Sequence, residues 1–547
     1  MIFFVDSPGR LCVSVRDYYC YKFQMRPGIF NPILYGKRLF QQFAVDTYIK
    51  IESSRLNYIG NHQDDIRADH YQGLVDSIHA GEGRLEAVGK RTVMPSSFIG
   101  GPRDMRRRYM DAMALVRRFG KPDIFLTMTC NPNWDEIKRE LYLGQTPQDR
   151  SDLVVRVFRA KLQELKDRLL KKDILGKVHA HVYVVEFQKR GLPHAHFLLI
   201  MDRKYKITCP EQYDRLISAE LPNKKKYPVL YKMVTKHMMH GPCGVLNHNC
   251  PCTKGRDSCK NRYPRPFCDV TVQGKDSYPV YRRREDGRKE KVRGHELDNR
   301  WVVPYNPYLL RLFNCHINVE ACGSIKAVKY LFNYIYKGHD RASVAIKEAD
   351  KEDSEANVDE IKQYRDARWV TPPEALWRIY GFDLSDRYPS VLSLQLHLPD
   401  MHMVSFHRRQ GIRRVLDRPG ADKSMLTAYF EKNRTDETAR GVLYRDFPEF
   451  YTWQAQGKVW QNRVRRDTLR QIGRIVSANP AEGERYYLRV LLNHVAGATS
   501  FECLRTMDGK ILPTFREAAE RRGLIEEDNT LNESLIEATG WMMPYAL

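Results

Sequence analysis

The sequence predicts an α+β fold, an antiparallel sheet flanked by helices, and three observations carry that prediction. A β-prone run at 122–130 is closed by Asn131-Pro132, which reads as a strand entering a turn. Two further apolar runs, 179–188 and 194–202, are separated by Gly191 and Pro193 and read as a hairpin. Helical spacing of apolar residues brackets these strands. Leu39, Phe40, Phe43, Ala44, Tyr48 and Ile51 recur with it in 35–58, and another amphipathic pattern fills 153–170.

The elements follow in order. Residues 1–120 form a mostly helical region, whose second helix carries Tyr109, Met113, Leu115 and Val116 and ends before Gly120. Residues 121–345 hold the strands, with a Cys/His-rich insertion at about 236–270 and a charged loop at 282–300. A short strand at 314–320 leads into a helix at 327–338, where Val328, Leu331, Phe332 and Ile335 mark the buried face and Gly338 the C-terminal cap. The stretch 346–368 is acidic and reads as a linker, and 369–547 forms a helical and mixed C-terminal region with helices at 485–494 and 514–522. No internal repeat interrupts this order.

Composition narrows the function. The 547 residues include 90 Lys and Arg against 67 Asp and Glu, a net charge of +23 that calls for an anionic partner, nucleic acid before others. The basic residues cluster at Arg103, Arg106, Arg107 and Arg108, at Arg282 to Arg284, and at Arg463, Arg465 and Arg466. No apolar run is long enough to span a bilayer, and Met1 to Val5 lacks the basic start of a signal peptide, so the expectation is an intracellular protein without a membrane partner. Five of the 12 cysteines bunch at Cys243, Cys250, Cys252, Cys259 and Cys268. His240 and Cys243, followed by Cys252 and Cys259, are a candidate tetrahedral zinc site, with His248, Cys250 and Cys268 as spare ligands.

Two motifs carry chemistry. In Pro193-His194-Ala195-His196-Phe197-Leu198 the strand period places His194 and His196 on one face and Ala195 and Phe197 on the other. Two imidazoles on one strand make half of a metal site. Glu186 and Gln188 share a face of the preceding strand, and the turn at Gly191 brings them beside the histidines. A carboxylate with two imidazoles suits Mg²⁺ or Mn²⁺ with positions left for phosphate oxygens. Such an ion polarises a phosphodiester for in-line attack. The second motif is Tyr330 and Tyr334, four apart on the 327–338 helix and so stacked on one face. Lys326, Lys329 and Lys337 surround them with positive charge that favours phenolate and attracts phosphate.

His194-Ala195-His196 resembles the metal-binding motif of HUH endonucleases. Together with 124–132, 186–201 and 329–338, it is similar to the replication-initiator region of Helitron transposases, the N-terminal part often called the Helitron helicase-like domain. Pro373 to Gly381 and Asn479 to Tyr487 are similar to family sequences too, so the resemblance runs from about Cys12 to about Asp528. It implies an HUH-type sheet and metal-dependent nicking and strand transfer of single-stranded DNA at transposon ends. Tyr330 or Tyr334 would form a 5′-phosphotyrosine and release a 3′-hydroxyl, as in rolling-circle transposition in the nucleus. It implies His194 and His196 as metal ligands, with Glu186 preferred as the third and Gln188 and Glu320 as rivals. His316 and Asn318 share a strand face with Glu320. Lys329, Lys337, Arg106 and Arg107 are the expected DNA contacts. Gly36-Lys37, Gly120-Lys121 and Gly509-Lys510 lack the Ser or Thr that a nucleotide-binding loop needs, so the expectation is a truncated element without ATPase or helicase. The alternative is a non-catalytic remnant that binds nucleic acid through its basic surface.

Overall fold

The computed structural model describes residues 13–62, 66–70, 94–95, 97–187, 191–253, 256–274, 279–322, 360–366, 368–407, 412–464 and 471–525. These fall in two compact units. The first takes the described residues within Met1–Leu56, Val116–Asn357 and Lys362–Arg387. The second takes those within Asn57–Leu115, Val358–Ile361 and Tyr388–Leu547.

The first unit is built on a five-stranded sheet. Its strands are β1 (Ile124–Thr129), β2 (Val178–Phe187), β3 (Pro193–Met201), β4 (Ile317–Ala321) and β5 (Ser385–Tyr388), in the spatial order β5-β2-β3-β1-β4. The pairs β2–β3, β1–β3 and β1–β4 are antiparallel. β2 and β3 form the expected hairpin, and β1 ends at the turn that Asn131 closes by accepting the Asn133 N–H at 3.0 Å.

One face of the sheet carries Ile124, Leu126 and Met128, Ala195, Phe197 and Leu199, and Ile317, Val319 and Ala321, all buried. Helix α1 (Ser151–Leu170) contributes Phe158, Leu162, Leu165 and Leu169 to the same core, along with Trp377 from α2 (Pro372–Ile379). The Phe158 and Phe187 rings both meet the Trp377 indole, at 6.1 and 5.8 Å. Each fully buried aliphatic or aromatic side chain contributes about 1.5–3 kcal/mol. Every residue of β3 is buried, so the strand that carries both histidines is the least exposed in the sheet.

The sequence places a strand at 314–320, and the structure starts it later. Asn314 adopts a left-handed conformation (φ 43°) and caps the helix Pro307–Phe313, so β4 begins only at Ile317. The expected charged loop at 282–300 is also more ordered than its composition suggests. Glu290–Val292 pairs with His295–Leu297 across Arg293-Gly294, both with positive φ, which is the geometry of a tight hairpin turn.

In the second unit, Ser390–Leu394 pairs in parallel with Gln471–Ile475, and Tyr451–Gln454 pairs antiparallel with Val459–Asn462. The helices Met425–Thr435, Glu484–His494 and Phe515–Arg521 pack Leu426, Tyr429, Leu488, Leu491 and Phe515 into a separate core with Phe447 and Trp460. Of the acidic stretch at 346–368, residues 346–359 lie outside the described residues and Glu360–Asp366 is helical. Among the described residues, no helix is long and apolar enough to cross a membrane.

Candidate metal centres

The face of the sheet opposite the α1 core carries the polar side chains, and strand register arranges them in rows. Glu186, His194 and Thr129 are direct cross-strand partners, and His316 continues the row through its carbonyl, which accepts the Thr129 N–H at 2.9 Å. The next row is Val184, His196, Thr127 and Asn318. The row after that holds Leu198, Phe125 and Glu320. Directly opposed side chains on an antiparallel sheet lie about 5 Å apart, so each row is a line of neighbours.

Hydrogen bonds fix the imidazoles. His194 Nδ1 lies 2.8 Å from Thr129 Oγ1, and His196 Nδ1 lies 2.9 Å from Thr127 Oγ1. The remaining nitrogen of His196, Nε2, is 3.2 Å from Glu186 Oε2. His316 Nδ1 donates to the His237 carbonyl at 2.8 Å. Burial, with smaller effects from His196 and His316, pushes the His194 imidazole down to about 3, so it stands neutral with a lone pair to give.

Glu186, His194 and His196 are therefore on one face. Glu186 touches His196 and is the register partner of His194. Glu320 instead accepts from the Asn318 side chain at 3.0 Å, one row further on and two strands from the histidine strand. Gln188 lies outside the described residues, as do Tyr330, Tyr334, Lys329 and Lys337.

A second site is tighter. Among the described residues, one group of His, Cys, Asp or Glu has all its ligand atoms within 4.8 Å of one another: His240, Cys243, Cys252 and Cys259. His240 follows the helix Pro228–His237, and its Nε2 is 3.3 Å from Cys259 Sγ. Its ring stacks on Tyr263 at 4.1 Å, and burial pushes its imidazole down to about 4. Burial and the neighbouring thiols of Cys259 and Cys252 raise the Cys243 thiol. Burial works against ionisation of Cys259 too. The backbone N–H groups of Tyr263 and Asn261 and the other two thiols nonetheless hold it below its ordinary value. Three cysteine sulfurs and one imidazole nitrogen within 4.8 Å make the donor set of a tetrahedral structural metal site, and these four residues fit a structural metal.

The loop is shaped around that set. Gly241, at φ +102°, leaves no room for a side chain, because a Cβ there would lie 2.8 Å from the Trp301 ring. The spare candidates are engaged elsewhere. Cys250 donates to the Pro242 carbonyl at 3.0 Å, Cys268 to the Val270 carbonyl at 2.8 Å, and His248 pairs with Asp257 at 3.1 Å.

The arginine runs are partly structural. Arg282 lies 3.1 Å from Asp214, Arg284 forks onto Glu220, and buried Arg283 donates to the Val302 carbonyl. In the helix Pro102–Phe119, Arg107 and Arg108 pair with buried Asp104, while Arg106 is exposed. Arg463 donates to the Pro448 carbonyl, and Arg465 and Arg466 lie outside the described residues.

The sequence reading passed over Thr127 and Thr129. The signal was present: a Thr-x-Thr alternation in β1 has the same period of two as the His-x-His in β3, so antiparallel pairing can set the two in register.

Residues 18–199 match the family model described as the Helitron helicase-like domain at the N-terminus, so this part of the chain is similar to such domains. The matched stretch includes β1, β2 and β3, with Thr127, Thr129, Glu186, His194 and His196, and stops before the His/Cys cluster. No curated protein matches the chain.

Proposed function

We propose that this protein is a metal-dependent endonuclease and strand transferase of the HUH type, acting on single-stranded DNA at the ends of a Helitron-like element in the nucleus. The observation that carries this reading is the Glu186 carboxylate on His196 Nε2, with His194 in register beside it on the same sheet face. The match of 18–199 to the Helitron helicase-like domain supports it from the sequence side.

The donor set is two imidazoles and a carboxylate, which fits Mg²⁺ or Mn²⁺. Glu186, His194 and His196 would hold the ion, and when bound it supplies Lewis-acid polarisation of a phosphodiester. The rest of the chemistry falls to the chain. A phenol oxygen of Tyr330 or Tyr334 attacks the phosphorus, the bond from phosphorus to the 3′-oxygen breaks, and a 5′-phosphotyrosine forms. The phenol gives up its proton, the leaving 3′-oxygen takes one, and the free 3′-hydroxyl can reverse the step. Since the phosphoester energy stays in the covalent link, rejoining needs no ATP. Both tyrosines follow β4 in the sequence, and β4 is an edge strand of the sheet that bears the histidines. The His240, Cys243, Cys252 and Cys259 set would take Zn²⁺ and pin the insertion. Exposed Arg106 would contribute to holding the DNA backbone, with Arg107, Lys329 and Lys337 as further contacts.

The test is incubation of the protein with labelled single-stranded DNA and Mn²⁺, followed by denaturing electrophoresis. A covalent protein–DNA adduct that disappears with chelator and with the double variant Tyr330→Phe, Tyr334→Phe is expected. A shift of the DNA without adduct, lost steeply as salt rises, would instead identify a binding protein without the chemistry.

A further inference from the structure

We infer that Thr127 and Thr129 are positioning residues of the sheet site, holding His196 and His194 by their Nδ1 atoms so that both Nε2 atoms serve the ion. This rests on the reading of Glu186, His194 and His196 as a metal site.

The geometry is the same twice. Each threonine is the direct cross-strand partner of its histidine, and each hydroxyl lies within 3 Å of Nδ1, at 2.9 Å for Thr127 and 2.8 Å for Thr129. The pairing follows from the period of two shared by the strands, so one register sets both bonds. Threonine suits the place physically. It is β-branched, stiff at χ1 and at home in a strand, so the hydroxyl direction is fixed by the backbone.

The hydroxyl also does what a carbonyl could not. His316, on the same face, has its Nδ1 against the His237 carbonyl at 2.8 Å. A carbonyl only accepts, so that ring is locked with its proton on Nδ1. A threonine hydroxyl both donates and accepts. With no ion, His196 Nε2–H donates a hydrogen bond to the Glu186 carboxylate at 3.2 Å, so Nδ1 is an acceptor and Thr127 donates to it. When Nε2 gives its lone pair to a cation, the proton sits on Nδ1 and Thr127 accepts. The hydroxyl turns about its C–O bond and keeps the hydrogen bond in both states. Thr127 thus permits His196 to exchange Glu186 for an ion without breaking its tether, and Thr129 holds His194 in the same way. Outer partners of metal-bound histidines commonly change metal affinity by about 10–100-fold when removed.

The experiment titrates metal-free protein with Mn²⁺, reading free Mn²⁺ by electron paramagnetic resonance, and melts each metal-free variant. Glu186→Ala and His194→Ala define the binding that belongs to the site. Thr127→Val and Thr129→Val keep shape and β-branching and remove the hydroxyl, and Thr127→Ser and Thr129→Ser restore it. The expected result is a roughly 10–100-fold weaker Mn²⁺ dissociation constant for each valine variant. Serine should stay within about threefold of the parent in Mn²⁺ affinity and match it in metal-free melting. If a valine variant does not fold, alanine at the same position reads the same loss. Valine variants that bind as the parent does, while Glu186→Ala does not, would overturn this inference alone. Parent protein whose Mn²⁺ binding ignores both Glu186→Ala and His194→Ala would overturn the site and the inference with it.

Discussion

Histidines sit in two different settings in this chain, the sheet face and the His/Cys cluster. On the sheet, His194 and His196 stand on a fully buried strand and are tethered by threonine hydroxyls, with a single carboxylate on hand. Their donors are imidazole and oxygen. In the insertion, His240 lies in a loop with three cysteines, and all four ligand atoms fall within 4.8 Å. Its donors are soft and complete in number, and its neighbourhood of Trp301, Leu297 and Tyr263 is apolar. A closed soft set is built to hold a metal for structure, whereas an incomplete set of imidazole and oxygen leaves places for substrate. His397 in the second unit marks the other extreme. Its Nδ1 donates to the Leu398 carbonyl at 2.8 Å and its Nε2 accepts from Ser424 at 2.6 Å, so both nitrogens are used and nothing remains for a ligand.

That contrast can be broken in order of expected effect. The largest lies in the cluster. Cys259→Ser removes one of the four donors of the set, and metal binding at such sites is itself folding energy, on the order of 10 kcal/mol. Zinc content should fall to near zero and limited proteolysis should cut between His240 and Cys259, while the parent resists. Next comes the sheet site. His194→Ala or Glu186→Ala should lower Mn²⁺-dependent adduct formation by about 100-fold or more, with Glu186→Ala melting close to the parent and His194→Ala, which removes a buried side chain, less stable by about 1–3 kcal/mol. Retention of full adduct yield would place the ion elsewhere.

A smaller effect belongs to His397. Burial holds its imidazole down to about 4, from an ordinary 6.5. Between these values the unfolded chain takes up a proton that the folded one does not, so stability falls as pH drops from about 6.5 towards 4. The slope from this one group is at most about 1.4 kcal/mol per pH unit. Denaturant melts of His397→Gln should show a shallower loss over that window than the parent. The smallest effect is Arg106→Ala. Its side chain is exposed, so the expected change is about a threefold loss of DNA affinity and a salt slope reduced by roughly one, with no change in melting.

Much of the sheet was legible because period and turn chemistry agree there. The alternation through His194 and His196, the turn at Gly191 and the Asn131-Pro132 stop sit where the observed strands and turns do. The pairing of Glu186 with the histidines followed from counting back across the hairpin. The four cluster ligands could also be named from spacing, although only the folded loop shows why Cys250, Cys268 and His248 are left out of that group. What stayed hidden depends on contacts between distant segments. Thr127 and Thr129 acquire their role only when β1 pairs with β3. Charge counting shows Arg282 to Arg284 only as a basic cluster, whereas carboxylates from a segment more than sixty residues earlier and a backbone carbonyl claim them. A run of like charges gives no sign of its partners when these lie far off in sequence.

The central claim is that the imidazole-bearing face and the paired tyrosines act together on one DNA strand. The most direct measurement is mass-spectrometric mapping of the peptide that carries DNA after reaction with single-stranded oligonucleotide and Mn²⁺. The account predicts a nucleotide-bearing peptide containing Tyr330 or Tyr334, absent from His194→Ala. A nucleotide on any other residue, or an adduct that forms equally well in His194→Ala, would contradict it.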